Sequence, residues 1–195
     1  MPRADCFFTR RALTGADEEC GDTGLCAFGR NECLGIVIDV LGHGPEAHEV
    51  AVLADAYLEE YADLPLLDLM EGLHAKLQGT RGCGASMCRL ELETGLMQFC
   101  GVGNITCRIF SEESQRIIPQ DGIIGYMMPT PKVKEVQLRI GDVVMLYSDG
   151  VKEHFEIYDH PGLLTGSARD VVCRVMNSFS KKDDDSSCLV LRYSL

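Results

Sequence analysis

The order of apolar patterns along this chain predicts an α+β fold, with mainly antiparallel sheets and helices packed outside them. Three observations predict it. Two continuous apolar runs of strand length, LGIVIDV at 34–40 and VVMLY at 143–147, need cover on both faces. Two amphipathic helical segments follow the first run directly. A block of short strands then precedes one more helix and a last strand.

Taken in order, Leu25–Phe28, a polar Gly29-Arg30-Asn31-Glu32 turn and Leu34–Val40 read as a hairpin. The second strand ends in Leu41-Gly42-His43-Gly44, a tight turn, and Pro45 suits the first turn of a helix. From there to Ala62, apolar residues recur at Ala47, Val50, Ala51, Ala54, Tyr57, Leu58 and Tyr61, a helical period. Pro65–Gln78 places Leu66, Leu69, Met70, Leu73 and Leu77 on one helical face. Ala85–Glu91 alternates, Glu93-Thr94-Gly95 turns, and Leu96–Gly101 and Ile105–Phe110 follow as strands. Lys132–Leu138 alternates again, Gly141-Asp142 turns into Val143–Tyr147, and Ser148-Asp149-Gly150 closes that strand. One or two helices are expected over about 151–157 and 167–178, and Cys188–Tyr193 is the final strand.

The 195 residues suit a single domain over 1–195, without repeat, low-complexity tract or linker. No apolar run approaches the roughly 18 residues of a membrane span. The leading MPRADCFFTRRALTG has two adjacent arginines but no long apolar stretch behind them, so no secretory signal is expected and the protein reads as cytoplasmic. The net charge of −12 argues against nucleic acid, whose affinity comes mostly from Lys and Arg on phosphates, and against an anionic membrane. An acidic protein that handles phosphate needs local positive charge, and a divalent metal supplies it. The ten cysteines contain no C-x-x-C pair, and Cys20, Cys26 and Cys33 lack partners at zinc-finger spacing. Cys88, Cys100, Cys107 and Cys188 sit in apolar runs. The expectation is free thiols acting as small hydrophobes, with a zinc or redox role as the alternative.

The aspartates carry the functional signal. Asp22 follows Gly21 just before the hairpin, and Asp39 lies inside an apolar run near its strand end. Asp149 ends another apolar strand, and Asp183-Asp184-Asp185 precedes the last one. Any single Asp before Gly is ordinarily a turn residue. Asp39 resists that reading, because a carboxylate in an apolar run is costly unless paired or bound to metal. Several carboxylates converging at strand ends make an oxygen-rich site for Mg²⁺ or Mn²⁺. Two such ions position a hydroxide and neutralise a transferring phosphoryl group.

The strings CGD (20–22), DVLGHG (39–44), GASM (84–87), GVGN (101–104), GDVVMLYSDGVKE (141–153) and DDSSCLVLR (184–192) occur in order over most of the chain. Together they resemble the PPM-type metal-dependent serine/threonine protein phosphatases. The likeness is to their small bacterial branch, which holds the sporulation phosphatase and the RsbU and RsbX stress-response regulators. The short length most resembles the RsbX-type stressosome phosphatases. The resemblance implies two antiparallel sheets packed as a sandwich with helices on the outer faces. It implies two divalent ions, Mn²⁺ or Mg²⁺, bridged by Asp39. The Val40 carbonyl would serve one ion, Asp149 and Asp184 the other, and Asp22 would act on the site directly or through a water. Asp183 is the alternative to Asp184 in the last motif. Gly42 and Gly44 would shape the turn, and Gly122 and Gly125 fall in the family's mobile switch segment.

The resemblance further implies hydrolysis of phosphoserine or phosphothreonine by a metal-bridging water, with Asp39 and Asp149 catalytic. The implied substrates are phosphorylated STAS-domain stressosome proteins. The alternatives are a catalytically weak or inactive module that binds a signalling partner, and a small-molecule phosphoesterase. No cysteine sits in a phosphate-binding loop of the thiol-phosphatase kind. Where larger members carry a carboxylate for a third metal, Gly79-Thr80-Arg81-Gly82-Cys83 offers none. Animal members grip phosphate with an arginine near the N-terminus; Arg10 and Arg11 read as a solvated basic pair, with that grip as the alternative. His43 reads as packing the turn or supporting the metal ligands, with general acid as the alternative, and His48 as helix surface.

Overall fold

The computed structural model describes residues 3–16, 19–153 and 155–195. Its strands are β1 (Arg3–Arg11), β2 (Asp22–Phe28), β3 (Glu32–Val40), β4 (Cys83–Glu91), β5 (Leu96–Val102), β6 (Thr106–Phe110), β7 (Gln115–Ile117), β8 (Lys134–Gln137), β9 (Val143–Tyr147) and β10 (Ser186–Ser194). The helices are α1 (Pro45–Tyr61), α2 (Leu66–Lys76) and α3 (Ala168–Phe179). All named strand pairs are antiparallel, in two sheets ordered β1-β10-β9-β6-β7 and β2-β3-β4-β5-β8.

Period-2 alternation explains how each strand serves two cores. Leu34, Ile36, Ile38 and Val40 of β3 pack with α1 and α2, while Cys33 and Val37 face the opposite sheet. In β9, Val144 and Leu146 point between the sheets, and Val143, Met145 and Tyr147 point to α3. Three apolar layers result, in the order helices, sheet, sheet, helix. The expected face of α2 is buried: Leu66, Leu69, Met70 and Leu73 are at most 1% exposed. Each such side chain contributes roughly 1.5–3 kcal/mol by leaving water. α1 starts after Gly44, whose φ of 84° favours glycine, with Pro45 in its first turn. α3 starts on a capping box in which Ser167 and Asp170 satisfy each other's backbone N–H.

The structure corrects the sequence reading in three places. The leading segment carries no clear strand signal in the sequence, yet as β1 it pairs with β10 along its whole length, from Arg3 opposite Ser194 to Arg11 opposite Ser186. Its inward face, Ala4, Cys6 and Phe8, is short and interleaved with charges, as suits an edge strand. β7, three residues long, is likewise unmarked in the sequence. The helix expected over 151–157 is absent among the described residues. There, Lys152 N–H donates to the Phe179 carbonyl and Lys181 N–H to the Gly150 carbonyl, so the segment is tied to the end of α3 instead. A single 3-10 turn, Ile157–Asp159, follows.

Candidate active site

Antiparallel pairing brings the beginning of one strand beside the end of the next, and this concentrates the aspartates at one end of the sandwich. Asp22 opens β2 directly opposite Asp39 near the end of β3. Asp39 in turn faces Gly84 at the start of β4. In the other sheet Asp149 follows β9, and Asp184 and Asp185 precede β10, its neighbour. Inner-face alternation aims Asp22 and Asp39 into the space between the sheets, as it does Val37 and Cys26.

The carboxylates differ in surroundings. Asp22 is buried and accepts a hydrogen bond from Ser148 Oγ at 2.6 Å. Burial pushes its carboxyl up to about 7; the hydrogen bond from Ser148 opposes this, and the charges of Asp185 and Asp184 add to it. Asp39 is half-buried and pushed up to about 8, by burial first and then by Asp22 and Asp149. Asp184 is half-buried and also raised, by burial and then by Asp149. Asp183 is exposed, whereas Asp184 is half-buried and feels the Asp149 charge. These groups resist ionising together, and a cation among them would relieve the repulsion.

Sequence reasoning passed over three supporting residues. Asn104, after β5, donates its side-chain amide to Asp39 Oδ2 at 3.1 Å and to Asp149 Oδ2 at 2.8 Å. It therefore ties the two sheets' central aspartates together. It belongs to the GVGN string, but no spacing rule marks it as a bridge. Asp185 is buried, and its two oxygens accept from the N–H groups of Leu13 and Gly21, each at 2.7 Å. That clamp fixes the chain entering β2. Arg81 donates to the Leu41 carbonyl at 3.0 Å and pairs with Glu46, fastening the glycine turn to the approach to β4.

Two basic readings are revised. Arg10 is not simply solvated: it donates to the Asp22 carbonyl at 2.9 Å. His48 is half-buried on α1, its Nδ1 lying 3.1 Å from the Cys20 carbonyl. His43 is exposed in its turn. Among the described residues, no three His, Cys, Asp or Glu side chains are drawn together tightly enough to cage an ion. The donor set is nonetheless one of hard carboxylate oxygens, which fits Mg²⁺ or Mn²⁺. A surface cavity of about 590 Å³ lies elsewhere, lined by Arg30, Asp63, Arg89 and Gln98, and includes none of the clustered aspartates.

The family model described as stage II sporulation protein E (SpoIIE) matches residues 30–194. Phosphoserine phosphatase RsbX of Bacillus subtilis (strain 168) is 25% identical over 170 residues, covering 85% of this chain and 83% of the relative. A structure from work on the bacterial stressosome, as a modular system adapted to control secondary messenger signaling, superposes with a TM-score of 0.88. It has 29% identity and covers 97% of this chain and all of that one. RsbX in complex with magnesium superposes with a TM-score of 0.84 at 20% identity over the full length of both chains, a likeness of fold.

Proposed function

This chain belongs to the stage II sporulation protein E (SpoIIE) family of PPM-type phosphatases, and on that premise we propose that it is a metal-dependent phosphoserine/phosphothreonine protein phosphatase. The single observation that carries the reading is the convergence of Asp22, Asp39, Asp149 and Asp184 from both sheets at one end of the sandwich. In this proposal Asp22, Asp39, Asp149, Asp184 and the Val40 carbonyl hold two divalent ions, Mn²⁺ or Mg²⁺. When bound, such ions polarise phosphoryl oxygens and acidify water at neutral pH. The protein's own groups do the positioning. Ser148 orients Asp22, Asn104 keeps Asp39 and Asp149 in register, and the Asp185 clamp holds the loop behind them.

Asp39 sits near the end of its strand and Asp149 is exposed, so the chemistry lies at the surface. That arrangement suits a phosphorylated side chain presented on a protein better than a small molecule that must be enclosed. The likeness to RsbX and to a stressosome structure makes phosphorylated STAS-domain stressosome proteins the substrates of choice. The test is phosphate release from such a phosphoprotein with Mn²⁺ or Mg²⁺. Release that stops with chelator and returns with metal is expected. Ion binding without release from any phosphoprotein would identify a non-catalytic module instead.

The raised carboxyls give a second expectation. At pH 7, Asp39 and Asp22 retain much of their proton. Binding of Mn²⁺ should therefore expel on the order of one proton per protein, and affinity should weaken as pH falls from 8 to 6. Calorimetric titration in two buffers of different ionisation enthalpy measures the proton directly. Proton-independent binding would contradict the assignment of these carboxylates.

A further inference from the structure

β1 and β2 are edge strands of different sheets, yet they lie on the same side of the sandwich and touch. Three rungs join them. Arg10 donates to the Asp22 carbonyl at 2.9 Å. The Phe8 ring lies against Gly24, where an added Cβ would come within 2.7 Å of it. The Sγ atoms of Cys6 and Cys26 lie 2.8 Å apart. Along β1 the rungs step up by two, and along β2 they step down by two, so all three use the inward faces. Cys6 and Cys26 are half-buried, whereas Cys33, Cys88 and Cys107 of the same layer are buried.

We propose that Cys6 and Cys26 are a redox modification site: oxidation joins them in a reversible disulfide that clips the two sheets together. A disulfide has an S–S length of about 2.05 Å, so closure takes a further approach of only about 0.8 Å. With a peroxide as oxidant, one sulfur attacks a peroxide oxygen and the O–O bond breaks. One water leaves with that thiol's proton, and a sulfenic acid remains. The other sulfur attacks the sulfenic sulfur, S–S forms, S–O breaks, and a second water leaves. Two thiols and one peroxide thus give one disulfide and two waters, and a dithiol reverses the step by exchange. The hydrogen-bonding thiols of Cys26 and Cys33 and burial hold Cys6 well above the ordinary thiol range. The Cys6 thiol is therefore protonated at neutral pH, and oxidation is slow and dose-dependent. The Arg10–Asp22 rung lies four residues along each strand, so the clip also restrains the strand that carries Asp22.

The test uses the whole chain, with Cys173→Ser to remove the exposed thiol that would link separate molecules. Reduced and peroxide-treated samples are alkylated, digested and examined by mass spectrometry, and their unfolding is followed by heat. The proposal expects a peptide pair linking Cys6 to Cys26, reversed by dithiol, and a rise in Tm of roughly 5–10 °C. Cys26→Ser and Cys26→Ala should each lose both the linked peptide and the rise. Both thiols remaining alkylatable at a peroxide dose that fully converts Cys173 in the parent chain overturns the proposal. So does a bond from Cys6 to Cys33, or a linked peptide without a change in Tm.

Discussion

Asp39→Asn should cut metal-dependent phosphate release at least about 100-fold, since losing even a residue that merely supports a ligand commonly costs 10–100-fold. The same substitution should stabilise the ion-free protein at pH 8. Asp39 has its carboxyl raised from 3.8 to about 8 in the folded state. Between those values the folded chain holds a proton that the unfolded chain has released, so stability falls as pH rises through this window. Asparagine keeps an oxygen that accepts from Asn104 and carries no charge beside Asp22 and Asp149. Each tenfold change in acidity on folding corresponds to about 1.4 kcal/mol; for this partly solvated group, screening reduces the total to on the order of 2 kcal/mol. Thermal unfolding in chelator should show a Tm above the parent's at pH 8 and close to it at pH 4.5. A variant less stable at both pH values would show that repulsion does not dominate at Asp39.

Gly150→Ala should be the most damaging single-methyl change at the acidic end. A Cβ there would lie 1.7 Å from the Asp185 carbonyl oxygen, 2.7 Å from its carbon and 2.9 Å from the Ser186 Cα. These are backbone atoms and cannot swing aside. Nor does either side yield easily, because the Asp185 side chain is clamped to Leu13 and Gly21 and the Gly150 carbonyl accepts from Lys181 at 2.7 Å. Overpacking of this kind costs about 1–3 kcal/mol, equivalent to a fall in Tm of roughly 3–10 °C at this chain length. The clash falls between Asp149 and Asp184, so both move relative to Asp39. A displacement of about 1 Å at reacting groups costs on the order of 100-fold in rate. Circular dichroism melting and phosphate release check the two effects separately. Parent-like values in both would mean that the 149–151 and 184–186 segments shift as one body.

What the sequence made legible follows from periodicity. α1, α2 and the buried strands β3 and β9 announce themselves, because each buries a regular stripe or a whole run of apolar residues. Asp39 stood out for the same reason, as a carboxylate inside such a run. The PPM-like sandwich expected from the ordered motifs is the observed one. The edges were harder to read. β1 mixes charge with a short apolar face, and its pairing with β10 spans nearly the whole chain. The 151–157 segment has helix-compatible residues, but Lys152 N–H donates to the Phe179 carbonyl at the end of α3 instead. Asn104, Asp185 and the Cys6–Cys26 pair depend on which residues meet across space, and no local pattern encodes such meetings.

The Asp185 clamp reaches Leu13 and Gly21, groups 172 and 164 residues away along the chain. Contacts of such separation are the slowest to form, because a long loop must close before they reward the chain. During synthesis β1 is made before β10 and waits for it as its pairing partner. The acidic end is therefore completed only once β10 has been made and the Asp185 clamp has closed.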